Sequence, residues 1–208
     1  MVKVVFFGTP AFAVPSLEGM LAAGHDVAAV VTQPDRRRGR GQRTSPSPVK
    51  TAAAAANLAV LQPQRMRDPT FLAAMSQAAP TIGVVAAYGR ILPDEVLSIP
   101  ALGTINVHAS LLPRYRGAAP IHRAVMAGDT ETGITMIRLV SEMAAGPMLA
   151  RATHPIGPSD TSEELEHALA DLGATLLIET LRAFEQDRVL EKEQDHVLAT
   201  FAPRLTRE

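Results

Sequence analysis

Asn106 and His108 stand two residues apart at the end of the apolar run Thr104-Ile105, inside the stretch N-V-H-A-S-L-L-P-R-Y-R-G-A-A-P at 106–120. If that run is a strand, residues i and i+2 emerge on one side of it. A carboxamide and an imidazole then stand together where a strand gives way to a loop, and open α/β sheets take ligands beyond the carboxyl ends of their strands. The pair suits attack on a carbonyl carbon, with an amide N–H steadying the oxyanion and an imidazole moving a proton. Taken alone, Asn-x-His is more often a capped loop beside a satisfied histidine than a reactive pair.

The elements that must position this pair follow from periodicity and punctuation. Val2 to Phe7 is an apolar run stopped by Gly8-Thr9-Pro10, and it predicts a buried first strand. Ser16 to Ala23 predicts a helix ended by Gly24, and Val27 to Thr32 a second strand. Such a β-α-β opening implies parallel strands joined by a right-handed crossover. Ala52 to Asn57 is alanine-rich and helical in pattern. Further strands are expected at Ile82 to Ala86 and Thr104 to Val107, and a late β-hairpin or paired strands at Gly133 to Val140 and Met148 to Thr153. Ser162 to Glu185 repeats Leu165, Leu169, Leu172, Leu176 and Leu177 at helical spacing, with Thr161 to Glu164 as its capped start. The alternation predicts an α/β, Rossmann-like fold with a mostly parallel central sheet.

Composition excludes several classes. The chain has 208 residues, 47% of them hydrophobic, a net charge of −1 and no cysteine. It can bury a sizeable core, carries no global basic field, and offers neither disulfides nor a thiolate nucleophile. The start reads as a strand rather than a signal peptide, and no apolar run is long enough to span a bilayer. A cytoplasmic protein, monomeric and without a membrane partner, is expected. The first turn lacks G-x-G-x-x-G, and Pro10 removes a backbone donor a pyrophosphate would use, so a nicotinamide or flavin cofactor is rejected. His122, His154, His167 and His196 are scattered, so no metal site is expected.

Pro34 to Lys50 is the one linker-like segment. It holds Arg36, Arg37, Arg38, Arg40 and Arg43 among glycines and prolines without apolar periodicity, and is expected to be an exposed, mobile loop. On composition alone, a solvated basic loop without a partner is the better reading.

Asn106-Val107-His108 followed by Ser110-Leu111-Leu112-Pro113 and Gly117 resembles the signature of the folate-dependent formyltransferases. The run through Ala118-Ala119-Pro120-Ile121, Gly128-Asp129 and Glu131-Thr132-Gly133-Ile134-Thr135 resembles the methionyl-tRNA branch of that family. So do Phe7-Gly8-Thr9-Pro10, and Thr32 to Arg36 with Gly39-Arg40-Gly41 after it. The resemblance covers essentially the whole chain. It implies formyl transfer from 10-formyltetrahydrofolate to the α-amine of methionine on initiator tRNA. Asn106 would hold the formyl oxygen and His108 would manage protons. Ser110, Leu111, Leu112 and Pro113 would wall the folate, and the backbone from Ala87 to Pro93, including Tyr88, Gly89, Ile91 and Leu92, would line the pterin pocket. In the family the basic loop contacts the tRNA acceptor arm. Arg40 is the first choice for such a contact, beside Arg36 and Arg38, since arginine makes forked, permanently charged contacts to phosphates and base edges. Phe12 would help hold the methionyl-adenosine end.

Two departures from the family pattern stand out. Where the family reads roughly Met-Asp-Ala-Gly, this chain reads Met143-Ala144-Ala145-Gly146. The aspartate that the family adds to the Asn and His is therefore Ala144, and nearby Glu142 is not assumed to replace it. An introduced change, natural decay, or a variant that works otherwise would each account for Ala144, and the intact remainder of the motif argues against long decay. The chain also stops near where family members enter a linker to a C-terminal barrel, so the resemblance implies that residues 1–208 are a formyltransferase catalytic domain without that barrel. Rival readings are a sugar-nucleotide amine formyltransferase, a hydrolase that releases formate from the folate, and a non-catalytic folate- or tRNA-binding remnant.

Overall fold

A computed structural model describes residues 1–38 and 43–206, with residues 36–38, 43 and 44 described by their backbone alone. The chain forms two compact units, Met1–Thr104 and Ile105–Glu208.

The first unit is built on strand β1 (Lys3–Gly8), with Val4, Val5, Phe6 and Phe7 fully buried. Burial on both faces is what a continuous apolar run in a parallel sheet requires. Helix α1 (Val14–Ala22) leads to β2 (Asp26–Val31), which pairs parallel with β1. The sequence reading expected Pro34 to Lys50 to lack regular structure. Instead, β3 (Arg36–Arg38) and β4 (Arg43–Ser45) pair antiparallel, Arg36 opposite Ser45 and Arg38 opposite Arg43. A two-stranded ribbon held by backbone hydrogen bonds has no face to bury, so it leaves no apolar alternation in the sequence. Helix α2 (Pro48–Ala55) starts four residues before the alanine run. Ser47 caps it by accepting from Lys50 N, and Pro48 occupies the first turn. Short strand β5 (Val60–Leu61) pairs parallel with β2. Helix α3 (Pro69–Ala78) is capped by Asp68, which accepts from Thr70 N and Phe71 N. Strand β6 (Ile82–Ala86) pairs parallel with β1, giving the order β6-β1-β2-β5, and α4 (Asp94–Leu97) follows.

The second unit begins within β7 (Thr104–His108) and continues through β8 (Arg116–Gly117), α5 (Pro120–Met126), β9 (Glu131–Arg138), β10 (Met148–Pro155), α6 (Ser162–Glu185) and β11 (Phe201–Ala202). β7 and β10 both pair antiparallel with β9, so the expected late hairpin is present. β8 pairs parallel with β11. Helix α6 has the expected bounds and a complete capping box between Thr161 and Glu164. It packs against β9 and β10 through a stripe that includes Leu165, Leu169, Leu176, Leu177 and Leu181. Burying each such leucine contributes about 1.5–3 kcal/mol. The fold class is the expected α/β, Rossmann-like one with a mostly parallel central sheet. Among the described residues no helix is long and apolar enough to cross a membrane.

Gly173 sets how closely α6 approaches. A Cβ there would lie 2.9 Å from Val107 Cγ1, with Ile134 behind it. Gly173→Val is therefore expected to destabilise the protein by about 1–3 kcal/mol, since overpacking outweighs any gain in helix propensity. Urea denaturation followed by circular dichroism measures the loss.

Candidate functional site

Period-two alternation along β7 sorts its side chains. Val107 faces α6 at Gly173, so Asn106 and His108 face the other way. The antiparallel register sets Asn106 opposite Ile137 and His108 opposite Thr135 on β9. Opposed residues share a face, which gives one surface carrying Asn106, His108, Thr135 and Ile137. Asn106 is half-buried, and its carboxamide has no hydrogen-bond partner among the described residues. An amide held on a strand without a partner keeps its N–H groups for something else.

His108 is almost fully buried and its Nε2 lies 3.0 Å from the Tyr115 carbonyl oxygen. A carbonyl can only accept, so Nε2 carries the hydrogen and Nδ1 keeps its lone pair. Burial holds the imidazole below the usual histidine range, and the Arg116 charge pushes the same way, although the Tyr115 contact opposes both. A neutral imidazole with Nδ1 as its basic atom is the outcome.

The segment after β7 folds back on itself. Ser110 Oγ donates to the Arg114 carbonyl at 2.6 Å, and Ser110 N donates to the His108 carbonyl at 2.9 Å. Thr135 Oγ1 donates to the Ser110 carbonyl at 2.7 Å and accepts from Leu112 N at 3.2 Å. One β9 hydroxyl thus fixes both ends of Ser110-Leu111-Leu112, and the Leu112–Pro113 peptide is cis. Leu112 is fully buried, Leu111 half-buried against Gly133, and Ser110 buried with its hydroxyl committed within the loop. Tyr115 and Arg114 meet Asp129, the phenol donating to it at 2.7 Å.

Ala144 packs in one buried cluster with Leu112, Ile137 and Met148. Because Ile137 opposes Asn106, the departed aspartate position lies beside the same face. Glu142 is exposed, whereas Ala144 is buried. Ala144 also has φ +49°, in the left-handed region. Asp and Asn enter that region more readily than other non-glycine residues because their short polar side chains bond locally.

In the first unit, the turn after β6 places Ala87 at φ +46° and Gly89 at φ +80°. The Tyr88 carbonyl accepts from Gln33 Nε2 at 2.8 Å and from Thr9 Oγ1 at 3.2 Å, and the Tyr88 ring packs edge-on against Phe7. A Cβ at Gly89 would lie 2.7 Å from Gln33 Nε2. Ile91 is 73% exposed, whereas Leu92 and Phe12 are buried. The root of the basic hairpin is fixed by Asp35, which pairs with Lys50 Nζ at 2.6 Å and accepts from Gln62 Nε2. Those hydrogen bonds hold its carboxyl below the usual range. Arg36 and Arg38 belong to β3, and Arg40, with Gly39 and Gly41, lies outside the described residues. No group of three His, Asp or Glu side chains suited to a metal occurs among the described residues.

Residues 2–181 match the formyl transferase family, and the chain belongs to it. Methionyl-tRNA formyltransferase of Moorella thermoacetica is 51% identical over 203 residues, which cover 98% of this chain and 65% of that protein. The enzyme of the same name from Acidobacterium capsulatum is 51% identical over 207 residues, covering 99% of this chain and 67% of its own. The chain therefore spans about two thirds of the length of these curated relatives. In fold it is similar to glycinamide ribonucleotide transformylase 1 from Symbiobacterium toebii, with a TM-score of 0.74 at 20% identity, covering 94% of this chain and 95% of that one.

The sequence assigns no individual role to Tyr115, Thr135, Arg116 or Gln194, and Gln33 enters only as part of the Thr32 to Arg36 motif. Thr135 fell inside a quoted motif, but nothing in its type told a structural hydroxyl from a surface one. Thr135→Val removes a buried donor and acceptor while keeping the shape, and is expected to cost about 1–3 kcal/mol through the unpaired Ser110 carbonyl and Leu112 N–H. Denaturant unfolding measures it. His108 supplies a pH signature. As pH falls below the ordinary histidine range, the unfolded chain takes up a proton that the folded one refuses, so stability drops with pH across that window. His108→Gln is expected to flatten that part of the Tm–pH curve.

Proposed function

We propose that this chain is the folate-dependent catalytic part of a methionyl-tRNA formyltransferase. It would move the formyl group of 10-formyltetrahydrofolate onto the α-amine of methionine on initiator tRNA, as a cytoplasmic monomer. The observation that carries the reading is the unpartnered Asn106 carboxamide beside a neutral, tautomer-fixed His108 on one face of β7. The curated names of relatives at about half identity support the choice of acceptor.

The chemistry follows from those two groups. The amine attacks the formyl carbon, and the carbonyl oxygen gains charge as a tetrahedral centre forms. Asn106 donates an N–H to that oxygen, an interaction strongest when the charge is greatest. His108 Nδ1 takes a proton from the attacking nitrogen, and its Nε2–H stays on the Tyr115 carbonyl throughout. As the carbonyl re-forms, the C–N10 bond breaks and N10 departs with the proton that His108 Nδ1 took from the amine. Ser110 to Pro113, stapled to Thr135, form the folate wall. Arg36, Arg38 and Arg40 would bind the phosphates of the acceptor arm, a contact that weakens as salt rises.

Residue 144 is the missing part. An aspartate there would orient the imidazole or carry the proton onward, and a methyl group does neither. Ala144→Asp is expected to raise the rate of methionyl-tRNA formylation by about 10²–10⁴-fold, the usual weight of a positioned acid–base group. The assay runs both forms with 10-formyltetrahydrofolate at high protein concentration. Equal rates in the two forms would remove the carboxylate from the mechanism. Formylation of an amino-sugar nucleotide in place of the tRNA would move the reading to sugar modification.

A further inference from the structure

Gln194 and Arg116 are buried to 4% and 3% exposure and lie far apart in sequence. The Gln194 carboxamide uses every atom it has. Its Nε2 donates to the Ala144 carbonyl at 2.8 Å and to the Gly146 carbonyl at 2.7 Å. Its Oε1 accepts from Arg116 Nε at 3.1 Å and Nη2 at 2.8 Å. Arg116 Nη2 also donates to His196 Nδ1 at 3.0 Å. A side chain saturated in this way has one orientation. The backbone around it is pinned as well. Lys192 and Met148 exchange both backbone hydrogen bonds, and Arg116 N donates to the Thr200 carbonyl at 2.8 Å. The loop also runs close against β9, where a Cβ at Gly146 would lie 2.0 Å from the Arg138 carbonyl oxygen and only glycine fits.

We propose that Gln194, oriented by Arg116, is a positioning residue for formyl transfer: it fixes residue 144 beside the Asn106–His108 face by holding the carbonyls of 144 and 146. Gln194 touches no reacting group. It lies beyond the residues that match the family, in the segment that returns from α6. The clamp grips only backbone, so it acts alike on alanine or aspartate at 144. Arg116 joins the two ends of the device, since its charge reaches His108 while its N–H groups hold Gln194. The inference rests on the formyl-transfer reading above.

The test uses the chain carrying Ala144→Asp, with Gln194→Glu or Gln194→Met added. Glutamate keeps the length and can pair with Arg116, yet has no N–H for the two carbonyls. Methionine keeps the volume and makes neither contact. Loss of positioning by a fraction of an ångström is expected to lower kcat about 10- to 100-fold in Gln194→Glu, with KM for the folate changed by less than about threefold. Amide exchange at 143–147 is expected to quicken in both variants while α6 stays protected. Unchanged kcat in Gln194→Glu and Gln194→Met, beside an active Ala144→Asp chain, overturns the assignment. So does unchanged exchange at 143–147. An inactive Ala144→Asp chain with Gln194 intact overturns instead the functional reading beneath it.

Discussion

The alternation of β7 is the constraint on which the second unit depends. One strand must pack Val107 into α6 and hold Asn106 and His108 away from it, and pairing with β9 allows no compromise. A slip of one residue would turn the carboxamide and imidazole toward the helix and expose the valine. Gly173 and the leucine stripe of α6 therefore do more than bury apolar surface. They fix the register that decides which side chains of β7 face away from the helix.

From that register the rest of the site follows by hydrogen bonds rather than by apolar packing. Thr135 stands opposite His108 because the strands pair as they do, and from there its hydroxyl reaches both ends of the Ser110 to Leu112 turn. The turn then presents the Tyr115 carbonyl to His108 and sets its tautomer. Electrostatics adds to geometry here. A buried imidazole near the guanidinium of Arg116 resists protonation, which agrees with the proton-accepting part proposed for it.

Much of this was legible in the sequence, for identifiable reasons. The two-residue spacing at the end of an apolar run placed Asn106 and His108 on one side of a strand, but only the family pattern raised the pair above a capped loop. Helix α6 was legible from its leucine period and the Thr161–Glu164 box. The β3–β4 pairing was not, since arginine, threonine and serine residues paired through their backbone leave no pattern. Helix α3 carried a usable signal in Asp68-Pro69, a cap followed by a first-turn proline. Gln194 could not have been found, because its contact with Ala144 spans fifty residues and is made to backbone, whose identity the sequence does not encode. The altered acid position, by contrast, was visible only against a family pattern, and no physical rule would have marked an alanine.

The brace on residue 144 comes from the segment that follows α6. Strands β7 and β9, the turn between them and helix α6 are complete by residue 185, while Gln194, His196 and the strand that pairs with Arg116 follow. During synthesis the sheet and its helix can therefore assemble before the loop at 142–146 has anything to hold it. A nascent chain would have its amide and imidazole in place before residue 144 is braced. Residue 144 would be set only once residues 192–202 had been made, later than the strands beside it.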